Sequence, residues 1–148
     1  IEFKNLETLY KPVDLSYNFE SEDLVEEIGG KLYFSPMLFI GEKENPFKLE
    51  DREYPIDFEF PKKNRVIFKV EIPEGYIVES LPESANFGLA NSDLTLKYQV
   101  SAQGNFVNLM ADFSINKTVI AADQYANLKG YYQLLIEKFN EKVVLIKE

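Results

Sequence analysis

The sequence predicts a mostly β domain: a β-sandwich of antiparallel strands with one C-terminal α-helix over about 123–139 and a short strand after it. Three observations predict it. Apolar residues alternate with polar ones along several runs, the period of half-buried strands. Pro, Gly and Asn punctuate those runs at short intervals, as the tight turns of a sandwich require. Near the C-terminus the apolar period changes from that of a strand to that of a helix.

Residues 1–11 are mixed and read as a linker or a first edge strand, closed by Pro12. Val13, Leu15, Tyr17 and Phe19 alternate with polar residues and predict a half-buried strand. Glu20, Ser21, Glu22 and Asp23 predict an acidic turn. Leu24 to Ile28 is a short apolar-flanked piece that Gly29-Gly30 ends, and Lys31 to Ile40 reads as a strand pair or one strand bent at Pro36. Residues 41–52 are polar and read as a loop, the boundary of a minor lobe if there is one. Phe47 and Leu49 would tack that loop onto the core.

Ile56, Phe58 and Phe60 alternate with Asp57 and Glu59 and predict a strand. Pro61 and Lys62-Lys63-Asn64 would turn the chain into a second strand carrying Val66, Phe68, Val70 and Ile72. Pro73-Glu74-Gly75 suits a turn, since Pro pre-sets φ and Gly tolerates positive φ. A strand over Tyr76 and Val78 follows, closed by Pro82, and Asn86 to Leu89 makes a shorter one. Leu94, Leu96, Tyr98 and Val100, then Val107, Leu109, Ala111, Phe113 and Ile115, alternate cleanly about Gln103-Gly104-Asn105 and predict a hairpin. Tyr125, Leu128, Tyr132, Leu135, Ile136 and Phe139 fall at helical spacing, with Asp123 as N-cap or first-turn acid. Val143 to Ile146 is the last strand.

The 148 residues fit one domain, whose 45% hydrophobic content suffices for a core without staples. A formal net charge of −9 would repel a polyanion at long range, so nucleic acid is not an expected partner. Lys62, Lys63 and Arg65 are the densest positive group. There is no Cys and no His, which excludes from this chain a thiol nucleophile, a disulfide, a Cys/His zinc site and any triad with an imidazole base. No apolar run approaches a membrane span. The chain begins at Ile1 without a Met, so we expect a processed chain or a piece of something larger.

Several constellations of residues could carry chemistry. Asp57 and Glu59 share one strand face, and a carboxylate pair can do glycosidic acid/base work, but polar-out alternation accounts for them without function. The acids around Glu20 and around Glu50, Asp51 and Glu53 could offer oxygens to calcium, yet neither has the spacing of an EF-hand loop. Ser114-Ile115-Asn116-Lys117 has S-x-x-K spacing, which on a strand puts Ser114 and Lys117 on opposite faces. Tyr131 and Tyr132 point about 100° apart on a helix, so one is expected in the core and the other at its edge.

Five motifs occur in order: Asn45-Pro46-Phe47-Lys48; Arg52-Glu53-Tyr54-Pro55-Ile56-Asp57-Phe58; Ile72-Pro73-Glu74-Gly75-Tyr76 with Glu79-Ser80-Leu81-Pro82; Ser114-Ile115-Asn116-Lys117; and Asn140-Glu141-Lys142-Val143-Val144-Leu145. Together they make the chain similar to the C-terminal domain of unknown function of bacterial transglutaminase-like proteins. In that family this domain follows a papain-like core that holds the catalytic Cys, His and Asp. The resemblance implies a non-catalytic accessory or interaction domain, packing against that upstream core or another protein domain, in a periplasmic or cell-surface setting. No catalytic residue, metal or cofactor is carried over. Arg52, Tyr54 and Asp57 are the candidate binding residues, with an Arg52–Asp57 ion pair expected to pin the loop before the strand. The alternatives are a free-standing carbohydrate- or peptide-binding module and a carboxylate-only hydrolase. The first requires an aromatic-lined groove. The second requires two close, buried acids, one with a raised pKa.

Overall fold

A computed structural model describes every residue but Tyr17, Phe19 and Glu22. In chain order the elements are β1 (Glu2–Lys4), β2 (Asp14–Ser16), β3 (Glu26–Ile28), β4 (Lys31–Phe34), β5 (Ile56–Asp57), β6 (Lys62–Glu71), β7 (Tyr76–Ser80), β8 (Ala85–Gly88), β9 (Leu94–Gln103), β10 (Phe106–Ile115), β11 (Val119–Ile120), α1 (Tyr125–Asn140) and β12 (Val143–Lys147). The mostly β class, the late helix and the strand after it are as the sequence predicts.

The centre is a four-stranded antiparallel sheet in the order β6-β10-β9-β8. Its β9–β10 hairpin forms where alternation is cleanest, with Phe106 opposite Gln103 and Ile115 opposite Leu94. The two-residue turn has Gly104 at φ +57°, the backbone a type II′ hairpin asks of its first turn residue. A second antiparallel sheet, β3-β4-β12-β7, begins with a hairpin across Gly29-Gly30. Both glycines have positive φ (61° and 78°), as a type I′ turn demands. β12 sits between β4 and β7, so the last strand closes this sheet.

One face of the central sheet is covered twice. Toward one end Leu94, Leu96, Tyr98, Leu109 and Ala111 meet Leu128, Tyr131, Leu135 and Phe139 of α1. Toward the other end Val107 and Val70 meet Phe34, Val143 and Leu145 of the second sheet. Val100 packs against both cores, at the changeover. The sandwich is therefore a partial one, and the helix takes the place of the missing half-layer. The opposite face, with Arg65, Ile67, Lys69, Lys97 and Gln99, is open to solvent.

Four local expectations need correcting. The run over Ile56 to Phe60 is a strand only at Ile56–Asp57, which pairs with β11. Glu59 has φ +67°, and this reversal ends the strand. Lys62-Lys63-Asn64 is not a turn but the start of β6, paired residue for residue with Ile115, Ser114 and Phe113 of β10. Asp123 does not cap α1: it lies in a single 3-10 turn, and Gln124 holds the cap position without a side-chain bond. Tyr131 and Tyr132 are both buried, because sheet and loop enclose the helix on two sides: Tyr131 meets Phe87, and Tyr132 meets Phe47 and Phe113.

The first sixteen residues stand apart. Among the described residues β1 and β2 pair only with each other. Leu15 is exposed rather than half-buried, and Tyr17 and Phe19, the rest of that expected strand, lie outside the described residues. Asn5 holds this arm together locally, donating to the Pro12 carbonyl (3.0 Å) and to the Asp14 carboxylate (3.3 Å).

Candidate functional site

Arg52, Tyr54 and Asp57 do not converge. Arg52 and Tyr54 share a shallow surface groove with Leu49, Asp51 and Glu53. Tyr54 is exposed. No ion pair joins Arg52 to Asp57. The Asp57 carboxylate instead accepts the Glu59 backbone N–H at 2.8 Å, an Asx-type turn that holds Glu59 at its positive φ. Asp57 is thus needed locally, to end β5 and aim the chain into β6.

The other motif residues are joints of the same kind. Asn45 donates to the Lys129 carbonyl of α1 (2.9 Å) and accepts from the Phe47 N–H (3.0 Å). This places the Phe47 ring edge-on to Tyr132 (4.8 Å) and Tyr125 (6.0 Å). Leu49 is exposed, so it holds the loop through its carbonyl, which accepts from the Tyr125 hydroxyl (3.0 Å) and the Lys129 ammonium (2.8 Å). Asn116 and Lys117 donate backbone N–H groups to the Asp93 carbonyl (2.8 and 3.1 Å), and Asn116 Nδ2 donates to Ser92 (2.7 Å). These bonds clamp the left-handed turn at Asn91 and Ser92. Ser114 is buried, while Lys117 is exposed and ion-paired with Asp93 (3.4 Å).

Among the described residues no carboxylate is buried; the one buried polar side chain is Ser114. Where carboxyl pKa values move, they move down: Arg65 hydrogen-bonds Asp112 and holds it below the usual range, and Lys48 does the same for Glu44. No group of three acids among the described residues could hold a metal ion, and Glu22 lies outside them. The hydrolase alternative asks for buried, protonated acids and receives no support. The groups pushed up are phenols: burial raises Tyr98 and Tyr131, and burial with the nearby Glu42 charge raises Tyr132 to about 12.

No sequence pattern marks the mostly apolar cavity at the free edge of the central sheet. It measures about 150 Å³ and lies between α1, the turn at 35–42 and the β6 edge of the central sheet. Met37, Val66, Ala111, Phe113, Leu135 and Phe139 form its walls, with Glu42 and Asn64 among its polar lining. None of the basic run Lys62, Lys63 and Arg65 lines it.

The geometry defines an antiparallel β domain with a helix as partial second layer, and no catalytic constellation among its described residues. The chain matches the family model of DUF3858, a domain of unknown function with a solved structure, over residues 30–145, and belongs to that family. Its fold is similar to part of a solved structure described as "a putative protease from Parabacteroides distasonis", with a TM-score of 0.55 and 11% identity. The similarity covers 66% of this chain and 19% of that one, and extends to the fold alone. No curated protein matches the chain.

Proposed function

We propose that this chain is a non-catalytic accessory domain of a larger, transglutaminase-like protein, and that its N-terminal arm packs against a neighbouring domain of that protein. The observation that carries the reading is the arm. Ile1, Phe3, Leu6, Leu9, Tyr10, Val13 and Leu15 are all more than half exposed. A lone two-stranded hairpin is marginal in water, and clustered apolar side chains on one mark a surface that another protein covers. The arm lies before the family match, which begins at residue 30. The similar solved chain is much longer than the part this chain resembles. The lack of Cys and His supports a role without catalysis.

The resemblance to transglutaminase-like proteins supports an exported setting, periplasmic or cell-surface, which fractionation of the native host would check. The coding sequence immediately upstream of Ile1 tests the main reading. A papain-like core with its Cys and His there is the expected result; a stop codon or an unrelated domain overturns it.

A further inference from the structure

Independently of the accessory role, we propose that the free edge of β6 and the cavity beside it form a binding site for an extended acidic peptide anchored by one large apolar side chain. β6 is ten residues long and pairs along its whole length with β10. Among the described residues no strand pairs with its other edge, and no loop hydrogen bond closes it. Such an edge presents alternating N–H and C=O groups, the template that extended peptides join by strand addition.

Charge selects the kind of peptide. β6 carries Lys62, Lys63, Arg65 and Lys69 against a single Glu71. Four of the chain's 16 cations thus lie in ten of its 148 residues, in a molecule whose net charge is −9. Lysines on an edge guard it against indiscriminate pairing, and the same lysines favour a strand bearing carboxylates opposite them. Lys63, Arg65, Ile67 and Lys69 share the open face of the sheet; Arg65 is already paired with Asp112, so acidic residues of an added strand would lie beside Lys63 and Lys69.

The alternate residues of that strand would point the other way, where Asn64 and Val66 line the cavity. A guarded edge needs no cavity, and this one is mostly apolar. At about 150 Å³ it matches the size of an apolar cavity that holds a benzene ring, so one phenylalanine or branched aliphatic side chain fits. Side-chain pockets beside a strand edge are how strand-addition sites gain specificity.

The test is a titration of isotope-labelled protein with a nine-residue peptide. It has threonine at odd and glutamate at even positions, with phenylalanine replacing the central threonine. The amide shifts should be largest across residues 63–70 and around Met37, Ala111 and Leu135. Three changes should each weaken binding about tenfold or more, the loss expected for removing an anchor: an alanine-centred peptide, Ala111→Leu to fill the cavity, and Lys63→Glu with Lys69→Glu. Lys63 and Lys69 are exposed, so the charge variant keeps the fold even if Ala111→Leu does not. Three results would overturn the proposal: no shifts at millimolar peptide, shifts elsewhere on the molecule, or an affinity left unchanged by either the charge variant or the alanine-centred peptide.

Discussion

The N-terminal arm and the body that follows are built from the same kinds of side chain, yet they use them in opposite ways. In the body Leu94, Leu96, Tyr98 and Leu128 are wholly buried between sheet and helix. In the arm Leu9 and Tyr10 are almost wholly in water. The body closes its backbone bonds over long sequence separations, as where β12 pairs with β4 and β7. The arm closes its own within sixteen residues. Apolar content alone therefore does not say which segment folds a domain. The number of independent surfaces that meet a side chain decides it, and the arm offers only one layer.

The largest expected effect sharpens this contrast. Leu128→Ala should cost about 2–5 kcal/mol in chemical denaturation, as for other wholly buried leucines, whereas Leu9→Ala should stay within about 0.5 kcal/mol. Alkali should act on the body next. Tyr98, Tyr131 and Tyr132 are raised by burial, Tyr132 to about 12, so the folded state keeps protons that the unfolded state releases near pH 10. Their contribution is fully present below about pH 10 and is lost as pH rises from there through the folded values. Each buried phenol then costs about 1.4 kcal/mol per pH unit, or about 4 kcal/mol per unit for three. Denaturation midpoints at successive alkaline pH values check this, and a flat profile would break the account of the core.

Smaller effects probe the joints. Asp57→Ala should cost about 1–2 kcal/mol, because Glu59 loses the bond that holds its positive φ. In a Glu59→Gly background roughly half of that loss should vanish, since glycine needs no such support. Equal costs in both backgrounds would remove the turn from the explanation. Tyr131→Phe should stabilise by about 1 kcal/mol, since the buried Tyr131 hydroxyl has no partner among the described residues. A loss in thermal midpoint would point to a partner for that hydroxyl.

Long, regular patterns were legible in the sequence. The β9–β10 hairpin and α1 repeat their period over ten and sixteen residues, so single exceptions do not erase it. Short elements were not. Ile56, Phe58 and Phe60 keep the alternation of a strand, but one left-handed residue, Glu59, breaks it after Asp57. Lysines at the start of β6 look like a turn because edge strands borrow the composition of loops. The cavity was invisible because its walls come from four separate stretches: the 35–42 turn, β6, β10 and α1. Arg52, Tyr54 and Asp57 stood out as a motif, yet what the motif residues mostly hold is backbone. The motifs that carry the resemblance to a domain of unknown function hold loop joints such as Asn45, Asp57 and Asn116.

We propose that the body stands alone while the arm is covered by a neighbouring domain. Backbone amide hydrogen exchange on the isolated chain tests it most directly. The account predicts near-unprotected amides in residues 2–16 alongside β9, β10 and α1 amides that exchange only through global unfolding, with the arm gaining protection once the chain is joined to its neighbouring domain. Arm amides protected as strongly as those of β9 in the isolated chain, or left unprotected in the joined protein, would contradict it.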